Sequence, residues 1–133
     1  AGAGFCIAST DIGIVFTWGS GRYGQLGHRN EIDCVLPRPV EDLHGAAANV
    51  SAGFSHSIAV TLEGVMYTWG DGREGKLGHG DASSKSIPSV VHAFKDSGMP
   101  VATAQGGGSH TVVLSKYGYV YTFGFGQSGR LGH

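Results

Sequence analysis

Charge is scarce in this chain. Of its 133 residues only 14% are Asp, Glu, Lys or Arg, and the formal net charge is −1; ordinary domains carry about 25%. Lys and Arg together number nine, with no basic run. A surface that neutralises nucleic-acid phosphates needs a basic stripe, so direct nucleic-acid binding by this segment is not expected. No apolar run reaches the about 18 residues that a membrane-spanning helix requires. The first residues lack the charged, apolar and small-residue order of a secretory signal. Cys6 and Cys34 are the only cysteines, too few for a disulfide framework or a tetrahedral zinc site. Reduced, partly buried thiols in an intracellular protein, nuclear or cytoplasmic, are the expectation. Amphipathic helical periodicity is missing throughout.

Glycine, by contrast, is abundant, with 24 residues. The glycines are not scattered. The run Phe16-Thr17-Trp18-Gly19-Ser20-Gly21-Arg22-Tyr23-Gly24-Gln25-Leu26-Gly27-His28 recurs as Tyr67-Thr68-Trp69-Gly70-Asp71-Gly72-Arg73-Glu74-Gly75-Lys76-Leu77-Gly78-His79. It recurs again as Tyr121-Thr122-Phe123-Gly124-Phe125-Gly126-Gln127-Ser128-Gly129-Arg130-Leu131-Gly132-His133. Trp18 and Trp69 are 51 residues apart, and Trp69 and Phe123 are 54 apart. A period near 50 residues signals one supersecondary unit repeated in a stacked or circular array.

The middle copy predicts the unit. Residues 57–61 and 65–69 are β-prone and joined through Gly64, which reads as a hairpin with Gly64 at φ > 0. Gly13 and Gly118 occupy the same turn position in the other copies. The glycine-rich stretch that follows suits neither helix nor strand and reads as a compact loop pinned by Leu77. Residues 86–91 and 48–53 read as the remaining strands. The longer second interval comes from an expanded connection, Phe94 to Pro100. Four short strands per unit make a propeller blade. The chain is therefore read as all-β, with about 2.5–3 four-stranded blades in units of about 1–50, 51–104 and 105–133.

These motifs resemble the regulator of chromosome condensation repeat family. The glycine frame ending in Leu-Gly-His carries the resemblance. So does the preceding element Ala52-Gly53-Phe54-Ser55-His56-Ser57-Ile58-Ala59-Val60, which recurs from Gly106 to Leu114. The first copy of that element is degenerate, with Phe5 where His56 and His110 stand. A kelch propeller shares the period but not the frame. The resemblance implies a seven-bladed ring. The chain is then expected to be part of one, completed by blades of the same or other chains. A light-sensing member of the family that this chain resembles uses tryptophans and carries a distinctive Gly-Trp-Arg-His-Thr run. Here Gly53-Phe54-Ser55-His56-Ser57 takes its place, which gives that reading little support.

Gly19–Gly24, Gly70–Gly75 and Gly124–Gly129 each match the dinucleotide fingerprint, but no helix follows to meet a pyrophosphate. They are read as backbone turns, and no cofactor or metal site is expected. The repeated histidines lie one blade apart and cannot converge on one ion; each is expected to bond a backbone group in its own blade. Trp18, Trp69 and Phe123 are expected to pack between blades. The positions of Asp71 and Glu74 vary between copies, which fits a solvent-facing loop tuned for a partner and equally fits drift. No nucleophile–base or carboxylate pair suggests an enzyme. A protein-interaction scaffold is the first expectation. Its candidate contacts are Phe54, Ser55, His56, Ser109 and His110 in the turns, and Arg22, Tyr23, Arg73 and Glu74 in the loops. The resemblance keeps two alternatives open: guanine-nucleotide exchange on a Ran-like small GTPase, and inhibition of an enzyme.

Overall fold

The structure is a computed structural model that describes residues 4–80, 83–96, 98–108 and 110–124. These form ten strands: β1 (Phe5–Ser9), β2 (Val15–Gly19), β3 (Cys34–Pro39), β4 (Ala47–Ala52), β5 (His56–Thr61), β6 (Met66–Gly70), β7 (Lys85–Val90), β8 (Val101–Gly106), β9 (His110–Ser115) and β10 (Val120–Gly124). They pair antiparallel in three sheets, ordered β1-β2-β3, β4-β5-β6-β7 and β10-β9-β8. The described residues are all-β apart from a short 3-10 turn at Arg73–Gly75 and a five-residue helix, α1 (His92–Asp96). That helix lies in the expanded connection, where no helical periodicity was legible. Five residues are too few to show one. Phe94 drives into the core there and packs edge-on against Tyr121, with centroids 5.2 Å apart.

Register repeats with the sequence. The β2–β3 pairing shifts between Thr17 and Gly19, and the β6–β7 pairing shifts between Thr68 and Gly70. The hairpin glycines Gly13, Gly64 and Gly118 have φ of 86°, 88° and 88°, the left-handed region that only glycine enters at little cost. Gly13 and Gly64 also lie where a Cβ would strike Ala46 and Pro100 at the next sheet. Each turn bonds that sheet through its carbonyl: Ala47 N–H donates to Gly13 O and Val101 N–H to Gly64 O, at 3.0 and 2.9 Å. The sheets thus stack through paired turns. β4 pairs with β5 and β8 with β9, so the joints fall in the connections 40–46 and 91–100; divisions at residues 50 and 104 would cut through these strands.

The core sits between sheets. Ile58, Val60, Met66, Val91, Phe94, Val101, Ala104 and Val113 fill the space between the second and third. Val15, Val40, Ala47, Tyr67 and Trp69 join Ile7, Leu43 and Val50 between the first and second. Burying such side chains contributes about 1.5–3 kcal/mol each, so each sheet depends on its neighbours for stability.

Candidate functional site

The glycine-rich frame closes on itself. Thr17 Oγ1 donates to Leu26 O at 2.6 Å and lies 2.9 Å from His28 Nε2. Thr68 Oγ1 makes the same pair of contacts to Leu77 O and His79 Nε2, at 2.6 and 2.9 Å. The hydroxyl proton goes to the carbonyl, so the ring Nε2–H must be the donor to the hydroxyl oxygen. Next comes the seam between sheets. Ser57 Oγ donates to Gln25 O, and Thr111 Oγ1 to Lys76 O, both at 2.6 Å. Gly27 is required there: its φ is 78°, and a Cβ would lie 2.8 Å from Trp69 Nε1. Gly78 meets the ring of Phe123 in the same way. The two aromatics therefore pack between blades on the Leu-Gly-His glycine of the preceding repeat. Trp69 is fully buried and Trp18 half-buried.

The histidines do not bond backbone groups as expected. His28 and His79 use threonine hydroxyls of their own sheet. His56 crosses to the next sheet, with Nε2 3.0 Å from Thr111 Oγ1. Its Nδ1 is buried with no hydrogen-bond partner. Burial, aided by the nearby Lys76 charge, lowers its pKa to about 4. His56 is thus a neutral strut under the surface and not a contact residue. Burial and then Arg38 lower His28 as well.

On the face that carries the motif loops, a cleft of about 650 Å³ opens between the repeats. Five of the predicted contact residues line it: Arg22, Tyr23, Phe54, Ser55 and Arg73. The backbone at Gly4 and Gly108 completes two of its edges. His110 is half-buried at the adjoining turn and is not part of the lining. Ser109, the Glu74 side chain, and Gly126, Gly129, Leu131, Gly132 and His133 of the third frame lie outside the described residues. The Arg22 guanidinium sits 5.5 Å from the centroid of the Tyr23 ring, and that of Arg73 sits 5.3 Å from it. Such cation–π contacts hold both cations in place. The Gly70–Gly75 run ends in the short Arg73–Gly75 3-10 turn and is followed by turns and bends, not by a phosphate-binding helix.

Sequence reasoning missed the floor of this cleft. Asp71 is only 1% exposed, contrary to the solvent-facing reading. Its carboxylate accepts from Arg73 Nη2 at 2.6 Å, from Lys76 Nζ at 3.1 Å and from Ser55 Oγ at 3.1 Å. Burial opposes ionisation of Asp71, but the Arg73 and Lys76 hydrogen bonds outweigh it and hold the carboxyl well below the usual range. Lys76 is itself buried, at 4% exposure. The alternation of Ser20 with Asp71 and of Gln25 with Lys76 was the available signal, because both positions change character together.

Antiparallel blades of three or four described strands, stacked through a glycine-rich frame, define a β-propeller of repeated units, and the cleft lies on its loop face. The sequence profile of the regulator of chromosome condensation (RCC1) repeat matches residues 13–60 and 63–114, and a second profile of that repeat matches 47–76. The chain belongs to this family. It is 36% identical to the ultraviolet-B receptor UVR8 of Arabidopsis thaliana over 133 residues, 98% of this chain and 30% of that protein. It is 37% identical to the E3 ubiquitin-protein ligase HERC2 of Homo sapiens, over 99% of this chain and 3% of that protein. The chain thus spans less than a third of either relative. The crystal structure of Prp20p from Saccharomyces cerevisiae superposes with a TM-score of 0.85 at 20% identity, over 99% of this chain and 34% of that one. No helix among the described residues is long and apolar enough to cross a membrane.

Proposed function

We propose that this segment is a protein-interaction scaffold that engages its partner on the loop face. One observation carries the reading. Side chains from two repeats, about one period apart in sequence, converge on a single cleft with mixed aromatic and cationic chemistry. The scaffold beneath is rigid, and its exposed lining differs between repeats, which suits selective recognition. The likeness in fold to Prp20p, described with its binding properties to Gsp1p and histones, supports protein partners. The test is a pull-down with the intact protein carrying Tyr23→Ala and Phe54→Ala. Loss of a partner held by the unaltered protein supports the reading, and retention of every partner removes it.

Guanine-nucleotide exchange on a Ran-like GTPase is the second reading, favoured by the same likeness to Prp20p. It requires that the intact protein accelerate nucleotide release from such a GTPase. An unchanged release rate eliminates it.

A further inference from the structure

We infer that the cleft receives an acidic segment of a partner protein, reading carboxylates beside an apolar side chain. The inference rests on the proposal that this is the partner face, and it adds the chemistry of what binds there. Four described charged side chains meet at the cleft. Arg22, Arg73 and Lys76 line it, and Asp71 lies beneath. The one carboxylate is buried and already engaged by Arg73, Lys76 and Ser55, so it offers nothing to a cationic ligand. The cations are in excess. Arg22 makes no ion pair among the described residues and is exposed. Arg73 keeps 66% of its side chain exposed although it bonds Asp71.

Their placement favours capture of carboxylates. Both guanidiniums stack on Tyr23, at 5.5 and 5.3 Å, so their orientation is set before a ligand arrives. Preorganised guanidiniums bind carboxylates in bidentate fashion and lose little entropy on doing so; Arg22 has its whole fork free, whereas Arg73 holds Asp71 through Nε and Nη2 and offers only its Nη1 side. The Phe54 side chain, 53% exposed, lines the same cleft and adds an apolar surface beside the charges. A cleft of about 650 Å³ accommodates a few side chains and not a domain. A nucleic-acid strand is a poor match, because the chain has nine Lys and Arg and a net charge of −1. The chemistry that fits is a short run of Asp or Glu flanking an apolar or aromatic residue.

Fluorescence anisotropy with the intact protein tests this. The probe is a labelled peptide with a central Phe between Glu and Asp residues. Its controls replace the acids by Gln and Asn, or by neutral residues plus one phosphoserine. The acidic peptide is expected to bind, to weaken as salt screens it, and to lose roughly tenfold or more when its acids become amides or when the protein carries Arg22→Glu. Phe54→Ser is the second variant and is expected to weaken binding without changing its salt dependence. Equal binding of the amide peptide, indifference to Arg22→Glu, or binding of the phosphopeptide alone overturns the inference. If the acidic peptide fails while a natural partner still depends on Tyr23 and Phe54, only this inference falls. If no partner depends on them, the partner-face reading falls too.

Discussion

The loops at 19–28 and 70–79 share one glycine frame and close it with different chemistry. In the first, Gln25 Oε1 accepts from Tyr23 N–H at 2.8 Å and Asp33 Oδ1 from Gly21 N–H at 2.8 Å. In the second, Asp71 Oδ1 accepts from Arg73 N–H at 3.0 Å and Ser84 Oγ from Gly72 N–H at 3.1 Å. Gly21 and Gly72 are equivalent, 51 residues apart, and make the same demand: an N–H inside a tight turn must find an oxygen. Which oxygen answers it is free to vary. The other bond falls one position apart, since Tyr23 aligns with Glu74 and Arg22 with Arg73. The first loop uses a neutral side chain at the floor of the cleft. The second uses a carboxylate, and a buried carboxylate needs a buried cation, which Lys76 supplies. Equal scaffolds therefore coexist with unequal electrostatics, and the inequality faces the cleft.

Four measurements break or sharpen this comparison. The largest effect is expected at the aromatic that each loop receives from the next repeat. Trp69→Ala removes a fully buried ring from the Gly27 seam and is expected to lower stability by about 4 kcal/mol. Trp18→Ala, at the half-buried equivalent, is expected to cost about 1–2 kcal/mol. Denaturant unfolding measures both, and equal losses would show that burial of the ring is not what matters.

The next test converts the second loop towards the first. Asp71→Ser leaves Lys76 buried without its partner and is expected to cost about 3 kcal/mol. Adding Lys76→Gln recreates the neutral arrangement of Ser20 and Gln25 and is expected to recover most of that loss. A double variant as unstable as the sum of the two single ones would refute coupling between the residues.

The third test is acid unfolding. His56 has a pKa lowered to about 4 by burial, against about 6.5 in an unfolded chain. Between these values the unfolded state binds the extra proton, so stability falls as pH drops from 6.5 to about 4, by about 3 kcal/mol. The first repeat places Phe5 at this position, buried at 2% exposure. His56→Phe is therefore expected to flatten that limb. Asp71, shifted down, contributes below about pH 4 in either protein. A limb unchanged by His56→Phe would assign it elsewhere.

The smallest effect is expected at Arg29, whose φ of 69° is the one positive value among the described non-glycine residues. The second repeat has Gly80 there, with φ of 81°. Arg29→Gly relieves strain but loses an exposed ion pair to Asp42 at 2.6 Å. Terms of similar size oppose each other, so almost no net change is expected on thermal unfolding.

Much of the fold could be read directly. The strands predicted at 57–61, 65–69, 86–91 and 48–53 lie within one residue of β5, β6, β7 and β4. The positive φ at the hairpin glycines was legible because only one residue type tolerates it. The candidate site was half legible. Arg22, Tyr23, Arg73, Phe54 and Ser55 share a cleft; variation between copies marked the Tyr23 position, whereas Arg22 and Arg73 are the same residue in equivalent loops. His56 misled, because a histidine beside a turn reads as exposed until the next sheet is seen to cover it. Asp71 was read as solvent-facing and Lys76 was not singled out, because an exposed and a buried charge look alike in one dimension.

The sequence by itself determined that this protein repeats one blade and where each blade turns. Those features rest on local chemistry: hydrophobic alternation, glycine at left-handed φ, and a threonine, leucine and histidine at fixed spacing within one frame. Only the tertiary structure decided which copies of a motif are buried, which charge is neutralised and which side chains meet in the cleft. Those outcomes depend on the neighbouring repeat, about 50 residues away along the chain yet in van der Waals contact across the seam.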